Sequence, residues 1–166
     1  MKLVKYSPNK IPTPVMKKIE DFRFPSDMKN REEELKLDRQ YNKRSTYVVC
    51  FKDDIVVGTL KFIEKRNKRE YLPIEYSDIK PFTQYYIEEV PACEIGGLKI
   101  STALAPREKQ ECILRLAGAY NIFVKKFQNV YLTCEQSLEK FYRRFSFKKI
   151  SDVYYKGKKY VAMEME

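Results

Sequence analysis

Cys93-Glu94-Ile95-Gly96-Gly97-Leu98-Lys99-Ile100 is the stretch that decides how this chain is read. A strand alternates its faces with a period of two, so Ile95 would point to one side and Leu98 and Ile100 to the other. One extra residue at Gly96-Gly97, a β-bulge, returns all three to a common face. A bulge leaves backbone N–H groups outside the ladder, and such donors suit the oxyanion that develops when an amine attacks a thioester carbonyl. Glu94, just before the glycines, is placed to take the amine proton directly or through water. The plainer alternative makes Gly96-Gly97 a bend and Glu94 a surface or paired carboxylate.

Working outward, Ala92–Ser101 reads as one buried strand, and Pro106 opens a helix with Ile113, Leu116, Ala117, Tyr120, Val124 and Phe127 on one face. Toward the N-terminus, Thr46–Phe51 and Ile55–Ile63 are β-branched and aromatic runs broken by Asp53-Asp54, which predicts a hairpin. Before them stand a lead strand at Leu3–Tyr6 and helical segments near Val15–Phe22 and Met28–Arg39, entered through the prolines at 8, 12, 14 and 25. Tyr71–Phe82 is a proline-marked connection suited to covering a site. Toward the C-terminus come a short strand at Val130–Cys134, a helix over Leu138–Phe145, and a closing hairpin of Phe147–Tyr155 and Lys159–Glu166 around Lys156-Gly157. This order predicts an α/β (α+β) chain with a mixed sheet and helices on its faces. No repeat, linker or low-complexity stretch divides residues 1–166, so a single domain is expected.

Composition narrows the chemistry. The chain has no histidine, which excludes histidine-based hydrolase triads and histidine-containing zinc sites, and leaves carboxylates, tyrosines, lysines, backbone groups or an activated cysteine for catalysis. The cysteines at 50, 93, 112 and 134 form no CxxC pair and sit in apolar runs, so neither a disulfide framework nor a metal is expected. No apolar stretch is long enough to span a bilayer and Met1–Tyr6 lacks the apolar centre of a secretory signal, which points to the cytoplasm. The net charge of +10 favours partners carrying phosphates or carboxylates, among them an acidic carrier protein. The basic residues are scattered among acidic ones with no aromatic RNA-binding signature, which argues against nucleic acid. Oligomeric state is left open.

A second informative stretch is Leu138-Glu139-Lys140-Phe141-Tyr142-Arg143-Arg144-Phe145-Ser146-Phe147. Its apolar residues have the spacing of one helical face, so Tyr142 is either a core residue or a phenol able to protonate a leaving thiolate. Taken together, Glu94–Ile100, the helix from Pro106 to Lys126 and the Tyr142 segment resemble the GNAT superfamily of N-acyltransferases, in the same order. The resemblance implies a mostly antiparallel sheet flanked by helices, an acyl-coenzyme A or acyl-carrier phosphopantetheine thioester as donor, and Tyr142 as general acid. Ser146 stands where a glycine is usual, and the glycine-rich phosphate loop is missing from Thr102–Lys109, leaving the side chains of Arg107 and Lys109 to meet a pyrophosphate.

That departure makes the chain more similar to the acyl-homoserine lactone synthases and N-acyl amino acid synthases. Phe22-Arg23-Phe24, Leu72-Pro73-Ile74-Glu75 and Glu94-Ile95-Gly96 resemble stretches of theirs, whereas Gly97 stands where an arginine is usual. By this resemblance Gly96, Gly97, Leu98 and Ile100 line the thioester, and Arg23, Asp38 and Glu94 line the side of a small-molecule amine acceptor, with Arg23 offering a forked pair of donors to a carboxylate. Ordinary helix-surface charge is the alternative for Arg23 and Asp38. Arg143, Arg144, Lys148 and Lys149 form a basic surface for an acyl carrier protein, or simply a solvated face. An acetyl-coenzyme A-dependent acetyltransferase and a non-catalytic binding module on the same fold are the competing readings.

Overall fold

The computed structural model describes residues 1–75 and 86–166. The chain forms two compact units, one of Met1–Ile63 with Gly97–Phe123, the other of Glu64–Gly96 with Val124–Glu166.

In the first unit, β1 (Lys2–Tyr6) pairs antiparallel with β2 (Ser45–Lys52), and β2 with β3 (Ile55–Lys65). The β2–β3 turn is the expected Asp53-Asp54, and both residues lie at positive φ, 48° and 61°. Two successive left-handed residues give the turn whose twist matches a hairpin, and aspartate tolerates that conformation better than most side chains. Helix α1 (Thr13–Arg23) has a proline in its first turn and buries Ile19 against Tyr47, Val49 and Val56. Helix α2 (Arg31–Arg39) carries Glu32, Glu33 and Glu34 at its start and Lys36 and Arg39 at its end, matching the helix dipole at both ends.

Helix α3 (Pro106–Val124) keeps Leu116 and Val124 of the expected face buried and departs from it at Ile113. Within the unit it buries Cys112, Leu116 and Phe123, while Ile113 is 43% exposed. The cause is Gly58 on β3: a Cβ there would lie 2.5 Å from Cys112 Sγ. Only a glycine lets the helix come this close, and the close approach selects the small thiol rather than Ile113 as the inward residue. Phe62 of β3 and Phe123 of α3 stack with ring centroids 4.1 Å apart.

In the second unit, the first half of β4 (Ala92–Ile100) runs parallel to β5 (Asn129–Glu135), from Ala92 opposite Asn129 to Ile95 opposite Leu132. β5 pairs antiparallel with β7 (Lys158–Met165), and β7 with β6 (Phe147–Tyr155). The β6–β7 turn again uses two left-handed residues, Lys156 at 49° and Gly157 at 69°. Between β5 and β6 lie a 3-10 turn and a short helix, α4 (Glu139–Arg143). A 3-10 turn at Pro73–Glu75 begins the connection foreseen at Tyr71–Phe82, of which residues 76–82 lie outside the described residues.

The strand order is β1-β2-β3-β4-β5-β7-β6, a mixed and mostly antiparallel sheet. Among the described residues no helix is long and apolar enough to cross a membrane.

Candidate active site

The break in alternation along β4 has a backbone cause. Gly97 sits at φ +59°, a left-handed conformation foreign to a regular strand and characteristic of a bulge. Burial changes at the same place: Ala92–Ile95 are buried, Gly96 and Gly97 are half-exposed, and Leu98 is 44% exposed instead of sharing Ile95's burial. A Cβ added at Gly96 would meet nothing within 4 Å, so the strand flank is open there. The Gly97 carbonyl accepts a hydrogen bond from the Thr59 hydroxyl at 2.9 Å.

A Cβ at Gly97 would lie 2.8 Å from Cζ and Nη2 of Arg23 and 3.0 Å from its Nε, so the guanidinium rests against the glycine. Arg23 Nη1 donates to Asp38 Oδ2 at 2.7 Å. Asp38 also accepts from the Tyr47 hydroxyl at 3.1 Å and pairs with Lys61 Nζ at 3.0 Å. Burial pushes the Asp38 carboxyl up, but the charges of Arg23 and Lys61 outweigh it and hold the group below its usual range. Burial drives the Lys61 ammonium down to about 8 against the pull of Asp38, and raises the Tyr47 phenol. Arg23 and Asp38 are therefore a largely buried pair rather than surface charges. Lys61 was missed in sequence, although a lysine inside the apolar run Gly58–Ile63 is a signal of a buried charge with a partner elsewhere.

Glu94 is 3% exposed. Its Oε2 accepts the backbone N–H of Ile74 at 2.7 Å and its Oε1 the hydroxyl of Thr133 at 3.2 Å. Ile74 is placed for this by the turn at Pro73–Glu75. Glu75 points inward to Lys65 at 2.7 Å and accepts the N–H groups of Leu72 and Ile87. Neither Ile74 nor Thr133 was singled out in sequence, since an amide donor and a strand threonine carry no local signature.

Tyr142 lies on α4 and is half-buried, its phenol pushed up by burial and secondarily by Cys134. The helix is shorter than the predicted Leu138–Phe145, and Leu138, Phe141 and Phe145 are exposed, so they do not form a core face. A 3-10 turn at Gln136–Leu138 precedes the helix, and Ser146 at φ +61° ends the segment in the conformation that favours the glycine usual at that place.

The sequence matches no protein-family model and no curated protein. Solved structures do match. An acyl-CoA N-acyltransferase from Pseudomonas aeruginosa aligns with a TM-score of 0.68 at 10% identity, over 99% of both chains. FeeM, an N-acyl amino acid synthase from uncultured soil microbes, aligns at 0.66 and 12% identity, over 99% of this chain and 90% of that one. TofI, solved in an apo form, aligns at 0.63 and 15% identity, over 100% of this chain and 91% of that one. The chain has the GNAT fold. At such identities the likeness fixes the fold, and the chemistry has to be argued from the residues.

A GNAT donor is a pantetheine thioester, and the two ends of that group fit this chain differently. The open flank at Gly96 and the exposed Leu98 leave room beside β4 for an extended arm. The start of α3 suits a diphosphate poorly. Pro106 supplies no N–H there. The Ala105 N–H already faces Glu108 Oε2 at 3.3 Å, while Oε1 of the same carboxylate pairs with Lys52 at 2.6 Å. Lys52 first, and Ala105 second, hold that carboxyl below its ordinary range. Arg107 and Lys109 are exposed nearby. On the expected carrier surface, Arg143 is paired with Glu139, Lys149 with Asp152 and Lys148, at 3.9 Å, with Glu166, while Arg144 is exposed. Among the described residues no cluster of histidine, cysteine, aspartate or glutamate is arranged to hold a metal ion.

Proposed function

We propose that this chain is an N-acyltransferase that moves an acyl group from a pantetheine thioester to the amine of an amino-acid-like acceptor. The observation that carries the reading is a buried carboxylate, Glu94, held by two directed hydrogen bonds two residues before an open glycine flank on the same strand. A carboxylate so fixed is suited to accept a proton, and the Gly96-Gly97 backbone amides are the donors proposed for the oxyanion. Leu98 and Ile100 continue the wall along the arm of the donor. Tyr142, whose raised phenol keeps its proton at neutral pH, protonates the departing thiolate. Arg23, set by Asp38, is the group proposed for the acceptor's carboxylate.

The donor we favour is acyl carrier protein, because Glu108 already stands where a free coenzyme's diphosphate would bind, and like charges there oppose it. Arg144 and Lys148 are the proposed contacts for that acidic carrier, and a cytoplasmic setting is part of the same proposal. Acyl-coenzyme A is the second reading, supported by Arg107 and Lys109 at the start of α3. The test is to incubate the protein with acyl-carrier and acyl-coenzyme A thioesters of several chain lengths and a pool of amines, and to search for new amides by mass spectrometry. Amide formation with carrier-bound donors is expected. A strict preference for acetyl-coenzyme A would reverse the choice of donor. No amide from any donor, combined with salt-dependent nucleic-acid binding, would refute the acyltransferase in favour of a binding module.

A further inference from the structure

Glu94 is buried to within 3% of complete enclosure, which separates its oxygens from an acceptor arriving from solvent. Its two donors differ. The Ile74 amide, at 2.7 Å from Oε2, is fixed by its turn and cannot give up its proton. The Thr133 hydroxyl, at 3.2 Å from Oε1, rotates, both donates and accepts, and belongs to a half-exposed residue of β5. Thr133 follows directly on the last parallel pair of β4 and β5, Ile95 opposite Leu132, so it stands where the ladder to β4 gives out.

We infer that Thr133 is the proton relay through which Glu94 acts, an inference that rests on the acyltransferase reading above. The acceptor enters as an ammonium. One of its protons passes to Thr133 Oγ1 as the threonine's own proton passes to Glu94 Oε1. This leaves a neutral amine, a neutral carboxyl and a restored hydroxyl, with no change in total charge. The amine lone pair then forms the C–N bond as the C–S bond breaks. Of the amine's two remaining protons, one stays on the amide and the other leaves with the solvent-exchangeable pool, while the thiolate takes its proton from Tyr142 and solvent returns one proton to the phenolate. Glu94 finally returns its proton along the same path. Ile74 is a positioning group in this scheme, and its amide keeps the carboxylate turned so that Oε1 faces the threonine.

The experiment compares the full chain with Thr133→Val, Thr133→Ser, Glu94→Gln and the Glu94→Gln/Thr133→Val double variant. Valine keeps the shape and the strand preference but removes the relay; serine restores the hydroxyl. A loss of roughly 10²-fold in kcat is expected for Thr133→Val, the lower range for removing general base catalysis, with serine recovering most of it. The double variant is expected to be no slower than the slower single, because two members of one relay act as a unit. Independently of turnover, a 13C titration of the Glu94 carboxyl is expected to move to higher pH in Thr133→Val and to stay in place in Thr133→Ser. An unmoved titration, a valine variant at wild-type rate, or losses that multiply in the double variant would each overturn the relay while leaving acyl transfer standing. A wild-type chain that transfers nothing, with the titration still shifted, would overturn the acyltransferase reading and leave the Thr133 contact purely structural.

Discussion

Replacing Lys65 by methionine is expected to cost far more than any surface substitution, and the reason lies in what it leaves behind. Lys65 and Glu75 are both fully buried and 2.7 Å apart. Lys65 also donates to the Ile87 carbonyl at 2.6 Å, and Glu75 accepts the amides of Leu72 and Ile87 at 2.7 and 2.9 Å. Methionine fills nearly the same volume, so the packing loss is small. The dominant cost is an uncompensated buried carboxylate, about 3–5 kcal/mol for a broken buried pair. For a chain of this length that corresponds to a fall of about 6–20 °C in Tm. A second change separates this cause from general damage. Glu75→Gln in the Lys65→Met background removes the orphaned charge and keeps an oxygen for one of the two amides, and is expected to restore part of the loss. Urea denaturation at pH 7 measures both, as a shift of midpoint at constant slope. A loss below about 1 kcal/mol for Lys65→Met, or a further loss on adding Glu75→Gln, would refute the reasoning.

Gly97→Ala is expected to destabilise by about 1–3 kcal/mol through its left-handed backbone, and to raise the acceptor KM further by displacing Arg23, with Asp38→Asn reproducing the KM effect but not the backbone cost. Lys61 gives a pH signature: folded, it releases its proton near pH 8, and unfolded near 10.5, so between those values the unfolded state binds more protons and stability rises with pH. At about 1.36 kcal/mol per unit, wild type gains roughly 3 kcal/mol across that window relative to Lys61→Met, and urea midpoints from pH 7 to pH 10 that move in parallel for the two proteins would exclude it.

Both hairpins were legible because their turn residues and flanking apolar runs lie within a few positions of one another. Asp53-Asp54 and Lys156-Gly157 each occupy the two left-handed places the turn requires. The glycine pair on β4 was legible for the same reason, as a local break in a period of two. The inward residue in the first half of α3 was not, because it is set by the encounter of Cys112 with Gly58, fifty-four residues earlier in the chain. Ile113 competes equally well for the inward position on the sequence alone, and only the approach of β3 decides. The partners of Glu94 were hidden for a related reason: Ile74 contributes a backbone group, which every residue but proline possesses, and Thr133 is one of several strand threonines until β5 is laid beside β4.

The departure at Gly97 from the arginine usual in the synthases also has a physical resolution. An arginine side chain there would need the space that the Arg23 guanidinium occupies, since even a Cβ falls within 3.0 Å of three of its atoms. Two guanidinium groups cannot share that place beside one carboxylate, Asp38, without leaving one charge unpaired in a largely buried setting. Arg23 thus brings a positive charge from α1 against the strand, and glycine is the residue that admits it. Glycine also permits the left-handed backbone at position 97, so one residue accounts for both the irregularity of β4 and the position of the charge beside it. Since Lys99 Nζ in turn holds the Arg23 carbonyl at 3.1 Å, the end of α1 is fixed to β4 on both sides of its last residue, by a packed guanidinium and by a hydrogen bond.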